Sequence, residues 1–298
     1  MTITLRLFTG DNDVARTLRI GSRLDKYRLL RRLGSGGFAT VYCAMDQIES
    51  RQVALKVPDE KYVSNPSSLE DLQREVRIMA KLNHENILQL KDARFIDGRF
   101  VIVFPLGEES LDDRLHRRLS RQTAVSFARQ MIEAVAFAHS NKILHRDIKP
   151  DNFILFADNQ LRLTDFGLAR VEKGRGNESA SGTLGYMAPE QAMGHPTFRS
   201  DVFALGLVMY RMFAGELPSY PFAAPLPGFN KLRRGLSPDF VALIRKAIDP
   251  VPSKRFRDAV AMRNAFAAIR NPLSATVTAK SSSPLTKKKK SSGKRKVA

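Results

Sequence analysis

The chain has 298 residues, 43% of them hydrophobic and 27% charged, enough to bury a sizeable core in one large or two-lobed domain. Its one cysteine, Cys43, excludes an internal disulfide framework and fits a reducing, cytoplasmic setting, and no apolar run is long enough to span a membrane. The formal net charge of +19 suggests acidic partners and says nothing about fold, but the last 28 residues alone supply +8 of it.

In chain order, MTITLRLFTGDND meets Asp11 and Asp13 too early for a secretory signal, and residues 1–23 read as an N-terminal extension. From Tyr27 three short segments, YRLLRRLG, TVYCAMD and QVALKV, are bounded by glycine, proline or polar clusters and predict an antiparallel meander. Between the first two lies Gly34-Ser35-Gly36-Gly37-Phe38-Ala39-Thr40-Val41. Such glycines let a backbone approach phosphates closely, or simply make a tight hairpin. Lys56 sits inside the apolar strand Val53-Ala54-Leu55-Lys56, where burial is costly without an anionic partner. The next segment is a helix from about Ser68 to Leu82, with Leu69, Leu72, Val76 and Met79 at three-to-four spacing and Ser67 or Ser68 as N-cap. It carries Glu75, placed to hold Lys56; a solvent-facing lysine is the alternative. RFVIVF (Arg99 to Phe104) reads as a buried strand ended by Pro105 and Gly107.

Beyond that hinge the pattern turns helical: Thr123 to His139, Pro189 to Ala192, Arg199 to Phe213, Pro238 to Ile248 and Arg257 to Ile269. Strands first and helices later imply an α+β protein with a small, mainly antiparallel β lobe (24–106) and a larger, mainly α-helical lobe (107–270). Residues 271–298 are rich in Ser, Thr, Pro and Lys and read as a disordered basic tail.

The strongest chemical signal is His145-Arg146-Asp147-Ile148-Lys149-Pro150-Asp151-Asn152, which puts a proton acceptor and an amide oxygen five residues apart in one loop. After the hairpin ILFADNQLRLT a second acid arrives in Asp165-Phe166-Gly167. Phosphoryl transfer needs a cation on the phosphates, oxygen ligands for magnesium and a residue orienting the attacking hydroxyl, and all are here.

In identity, order and spacing these motifs resemble the eukaryotic-type serine/threonine protein kinase family over roughly residues 24–270. The resemblance implies a two-lobed kinase-like fold, ATP and Mg2+ as cofactors, and protein Ser/Thr hydroxyls as substrates. It puts Lys56 on the α- and β-phosphates with Glu75 as its ion-pair partner. Gly34, Ser35, Gly36, Gly37, Phe38, Val41, Ala54, Phe104 and Leu106 would complete the ATP site. It makes Asp147 and Lys149 catalytic and Asn152 and Asp165 the magnesium ligands; Lys149 favours Ser/Thr over Tyr acceptors. Thr183, Glu190, Asp201 and Arg255 match structural positions, and Ser179 and Ser181 are candidate phosphosites or plain loop serines. The run Gly182 to Gln191 followed by a compact helical lobe is similar to bacterial members. Ala39 replaces a glycine common in the family, and Phe203 replaces a tryptophan, a packing change. Lys56, Asp147, Asn152 and Asp165 are all present, which speaks against a pseudokinase scaffold. The tail KKKKSSGKRK reads as a solvated end, a contact for nucleic acid or anionic lipid, or, in a eukaryote, a nuclear import signal.

Overall fold

In a computed structural model the protein is described over residues 18–166, 185–222 and 224–274. The chain divides into two compact units. Of the described residues, one comprises those up to Val76 together with Gln89–Leu106; the other comprises Arg77–Leu88 and those from Gly107 on.

The first unit is built on a six-stranded antiparallel sheet of order β1-β2-β3-β4-β6-β5. Its strands are β1 (Arg23–Leu24), β2 (Tyr27–Ser35), β3 (Ala39–Asp46), β4 (Arg51–Pro58), β5 (Asp92–Ile96) and β6 (Arg99–Pro105). The three segments predicted as a meander are β2, β3 and β4, and RFVIVF is β6, which runs one residue further to Pro105. A proline is tolerated there because its missing N–H falls at the strand end. In β4, Val53, Leu55 and Val57 alternate with Ala54 and Lys56. The first three join a core cluster with Leu24, Tyr27, Leu29, Tyr42, Ala44 and Val103. Leu18 packs on this cluster, and Gly21 N–H donates to Leu29 O at 2.8 Å. Residues 18–23 of the expected extension are therefore part of the unit's packing.

Two helices follow β4: the short α1 (Glu60–Val63) and α2 (Pro66–Lys81). The expected cap at Ser67 or Ser68 is two or three residues late. Asn65 Oδ1 accepts from Ser67 N–H at 3.0 Å and Ser68 N–H at 3.2 Å, so Asn65 satisfies the free amides and Pro66 opens the helix. The division between units falls within α2, so the expected small lobe with one helix keeps Pro66–Val76 of it and gains α1.

The second unit begins its sheet with β7 (Glu109–Ser110), which pairs with β8 (Phe153–Phe156); β8 pairs in turn with β9 (Gln160–Leu163). Gly107 is required where it stands: a Cβ there would lie 2.2 Å from Ile154 Cγ2 and 2.9 Å from Leu155 O. The helices are α3 (Leu111–Leu115), α4 (Arg121–Ser140), α5 (Pro189–Ala192), α6 (Phe198–Ala214), α7 (Phe229–Gly235), α8 (Pro238–Ala247) and α9 (Ala259–Ala267). All five predicted helices are present. The periodicity does not predict α3; its signal is the capping box between Ser110 and Asp113. The core is centred on α4 and α6, with Phe127, Met131, Phe203 and Tyr210 fully buried. At the end of this unit Leu273 bridges to Leu236, and Ser237 N–H donates to Pro272 O at 2.9 Å. The expected tail therefore keeps its first four residues in ordered contact.

Candidate functional site

In the first unit, β2 and β3 form the glycine hairpin, closed by Gly36 N–H to Ala39 O at 3.0 Å. A Cβ at Gly34 or Gly36 would meet nothing within 4 Å, so internal packing does not demand glycine there. Glycines in such open positions leave the hairpin backbone accessible to close approach by an outside group. Phe38 at the tip is held by the Tyr62 ring, 4.8 Å between centroids, and its carbonyl accepts from Asp59 N–H at 2.8 Å.

The register fixes the rest of this half. Val41 on β3 stands opposite Lys56 on β4, and alternation puts Ala54 on the same face as both. Ala54 pairs with Phe104 across to β6, and Leu106 follows directly after that strand. Lys56 is 9% exposed and Glu75 on α2 is 7% exposed, each with partners of its own. A buried lysine and a buried glutamate in one small unit are what a phosphate-holding cation and its orienter would need.

In the second unit the loop 145–152 is held in place from beneath by Asp201 on α6. This buried carboxylate accepts from His145 N–H at 2.8 Å, Arg146 N–H at 2.9 Å and His139 Nε2 at 3.0 Å. The tautomers follow from the partners. His139 Nδ1 accepts from Ala259 N–H, so its proton is on Nε2 and donates to Asp201. His145 Nε2 lies 2.8 Å from the Thr164 carbonyl, which can only accept, so His145 also carries its proton on Nε2. Its ring meets that of Phe166 at 4.7 Å between centroids. Two backbone outliers flank the loop's chemistry: Arg146 has φ +73° and Asp165 has φ +62°. Left-handed backbone at non-glycine residues costs energy, and the surrounding hydrogen bonds hold it here.

Around Asp147 the polar groups converge. Its Oδ2 accepts from Asn152 Nδ2 at 2.9 Å and lies 3.0 Å from Lys149 Nζ. Asn152 Nδ2 also donates to the Asp147 carbonyl at 2.6 Å. With its amide N–H groups thus directed, Asn152 has Oδ1 left as the atom for a hard cation. Thr164 N–H donates to Asn152 O at 2.9 Å, which brings Asp165 alongside. One amide oxygen and one carboxylate fit Mg2+, which usually takes few protein ligands and fills its octahedron with water and phosphate oxygens. No cluster of three or more His, Cys, Asp or Glu that could hold a metal ion occurs among the described residues.

Glu190 and Arg255 form a deeper support. The Arg255 side chain is fully buried and all its N–H groups are engaged: with Glu190 Oε1 at 2.8 Å and Oε2 at 3.1 Å, and with the carbonyls of Asp249, Arg199 and Pro250. Its guanidinium lies 4.4 Å from the Phe203 ring centroid, so the residue in the tryptophan position does more than fill space. Burial alone would raise the Glu190 carboxyl, but hydrogen bonds from Arg255 and from Ser200 Oγ outweigh it and hold it below the usual range. Next to it, Gln191 Nε2 donates to the Arg146 carbonyl at 2.6 Å, tying α5 to the loop. Gln191, Ser200, His139 and His145 are members of this framework that sequence reasoning does not single out. His145 belongs to the His145-Arg146-Asp147 run and Gln191 closes the run Gly182 to Gln191, but nothing in the sequence points to His139 or Ser200. Gly167, Ser179, Ser181 and Thr183 lie outside the described residues.

The profile of the protein kinase domain family matches residues 27–266. The chain is 32% identical over 253 residues to CBL-interacting serine/threonine-protein kinase 26 of Arabidopsis thaliana, covering 80% of this chain and 57% of that protein. It is 34% identical over 207 residues to serine/threonine-protein kinase PrkC of Bacillus subtilis, covering 67% of this chain and 32% of that protein. It thus spans about half, or less, of the length of such relatives, which come from both plants and bacteria. In fold it is similar to the PknI kinase domain of Mycobacterium tuberculosis, with a TM-score of 0.64 at 24% identity over 84% of this chain and 99% of that one.

Proposed function

Because this chain belongs to the protein kinase domain family, we propose that it is an active serine/threonine protein kinase that transfers the γ-phosphate of ATP to a protein hydroxyl. The observation that carries the reading is the convergence of Lys149 and Asn152 on Asp147 Oδ2, beside Asp165 held in left-handed backbone. A pseudokinase would be expected to lack one of these groups or Lys56.

In the transfer, the acceptor hydroxyl oxygen forms a bond to the γ-phosphorus while the bond to the β–γ bridging oxygen breaks and ADP leaves. Asp147 accepts the hydroxyl proton, and Lys149, 3.0 Å from its carboxylate, faces the charge on the transferring group. Asn152 Oδ1 and the Asp165 carboxylate would hold Mg2+, which when bound neutralises charge on the phosphates. Lys56, oriented by Glu75, would meet the α- and β-phosphates, under the Gly34–Val41 hairpin; Ala54 and the backbone at Phe104 and Leu106 would receive the adenine. The acceptor side is a Ser or Thr of a protein, the setting is the cytoplasm, and Ser179 or Ser181 would take an activating phosphate. The basic tail would contact a polyanion. No helix among the described residues is long and apolar enough to cross a membrane.

Incubation with γ-labelled Mg-ATP and basic and acidic test proteins, followed by phosphoamino-acid analysis, tests the proposal. Label on phosphoserine or phosphothreonine is expected. Label on phosphotyrosine, or none with any acceptor, contradicts it.

A further inference from the structure

The peptide unit between Arg146 and Asp147 is gripped at both of its polar ends. Its carbonyl, on Arg146, accepts from Gln191 Nε2 at 2.6 Å, and its N–H, on Asp147, donates to His145 Nδ1 at 3.3 Å. The His145 proton is on Nε2, facing the Thr164 carbonyl, so Nδ1 can accept. One residue earlier, Arg146 N–H donates to Asp201 Oδ1 at 2.9 Å. Arg146 has φ +73°, a conformation that a non-glycine residue keeps only where its surroundings enforce it. A peptide unit is planar and stiff, so turning it changes ψ of Arg146 and φ of Asp147 together and swings the Asp147 side chain.

Gln191 owes its own position to its neighbours. It lies in α5, four residues long and without a side-chain cap, too short to be stable by itself. The preceding residue anchors it: the Glu190 carboxylate is held by Arg255 at 2.8 and 3.1 Å and by Ser200 Oγ at 2.6 Å. Gln191 N–H donates to Ala188 O at 3.0 Å, and the residue is buried. A buried amide needs partners, and that need alone is the ordinary reason for such a bond. Here, however, the acceptor is the carbonyl of the strained residue beside Asp147. The Asp201 carboxylate can hold only N–H groups of this loop; Gln191 supplies the donor for the Arg146 carbonyl.

On the reading of Asp147 as the proton acceptor, on which this rests, we infer that Gln191 is a positioning residue for phosphotransfer. By holding the Arg146 carbonyl it sets the plane of the Arg146–Asp147 peptide unit, and through it the direction of the Asp147 carboxylate. Arg255 and Ser200 fix Glu190, Glu190 places Gln191, and Gln191 places the unit from which Asp147 projects. Lys149 Nζ and Asn152 Nδ2 then meet Asp147 Oδ2 at 3.0 and 2.9 Å. Release of the carbonyl would let the unit turn and disturb that meeting, while the core around α4 and α6 stays packed. Methionine separates positioning from packing, because it fills nearly the same space as glutamine and cannot donate.

The full chain and its Gln191→Met variant are compared in three ways. These are steady-state transfer from labelled Mg-ATP to a protein acceptor, thermal unfolding, and hydrogen exchange of residues 145–149 without nucleotide. Gln191→Met is expected to lose roughly ten- to a hundredfold in kcat, the range of a reacting group misplaced by about 1 Å. Its KM for ATP should stay within about twofold, and its unfolding temperature within a few degrees of the parent's. Exchange should quicken in 145–149 and not in α4 or α6. In an Asp147→Ala background, Gln191→Met should lower the residual rate no further, since the group it directs is gone. If Gln191→Met keeps the parent's kcat, loses it only along with its fold, or lowers the Asp147→Ala rate by the same factor, Gln191 is not a positioning residue. A parent chain without transfer overturns the kinase reading instead; unchanged exchange in 145–149 then still overturns the hold of Gln191 on the peptide unit.

Discussion

Two regions of the second unit are joined through the backbone of His145 and Arg146 and are built on opposite principles. Around Asp201, Glu190 and Arg255 every charge is met, and Asp201 and Arg255 are buried: three donors converge on Asp201, and the Arg255 guanidinium spends all its N–H groups on five acceptor contacts, two of them to Glu190. Around Asp147 the groups are part-exposed, with Asp147 and Lys149 side chains 16% and 21% accessible, and the flanking residues Arg146 and Asp165 hold strained backbone. A buried, satisfied network fixes a position; a half-open one with an acid, a cation and an amide oxygen can exchange partners with a substrate. The difference predicts that changes in the open region cost rate, and changes in the closed region cost stability.

The largest effect is expected from Asp147→Ala. Loss of a positioned proton acceptor typically costs about 10²- to 10⁴-fold in rate, and phosphotransfer by this variant should fall by at least that range while its unfolding temperature stays close to that of the parent. Next comes Arg255→Ala. Removing one partner of a buried ion pair costs about 3–5 kcal/mol, which for a domain this size is roughly a 6–20 °C fall in thermal unfolding. Calorimetry reads it, and an Arg255→Ala protein as stable as the parent would erase the contrast.

Asp201→Ala removes the acceptor for two buried backbone N–H groups and for His139. At about 1–3 kcal/mol for each orphaned donor, it should lower stability, and rate as well, because the loop 145–152 loses its anchor. The pH profile gives a finer test. The Glu190 carboxyl sits below its ordinary value of 4.5, so its contribution to stability is fully present above that pH and is lost as pH falls through its lower folded value. Urea unfolding between about pH 6 and pH 3 should show this loss, and Glu190→Gln, already without the charge, should show less of it. Smallest is Phe203→Leu, which keeps bulk but removes the ring face under Arg255. A loss of about 1–2 kcal/mol is expected in denaturant unfolding, set by a desolvated cation–π contact.

Much of this architecture is legible in the sequence, for identifiable reasons. Strands β2, β3, β4 and β6 and the long helices announce themselves by periodicity, and Asp147, Asn152 and Asp165 by short fixed spacing within loops. The apolar period places α2 correctly but not its start, because Asn65 lies outside that period and caps by reaching over Pro66. Short elements escape: β5 (DARFI) is five residues with only Ile96 buried, and α7 is only seven residues long. His139 and Gln191 escape because their roles depend on partners 62 and 45 residues distant in the chain, which no local pattern encodes. Phe203 reads as bulk alone, since a sequence does not show which cation will lie over a ring.

The central claim is that the region around Asp147 performs phosphotransfer and the Asp201–Glu190–Arg255 region only holds it in shape. The most direct test sets Asp147→Ala beside the parent chain, measuring transfer from labelled Mg-ATP to a protein serine and the thermal unfolding of the same samples. The account predicts transfer lost by orders of magnitude with unfolding temperatures within a few degrees of each other. Undiminished transfer in Asp147→Ala, or loss of transfer only together with loss of fold, would contradict it.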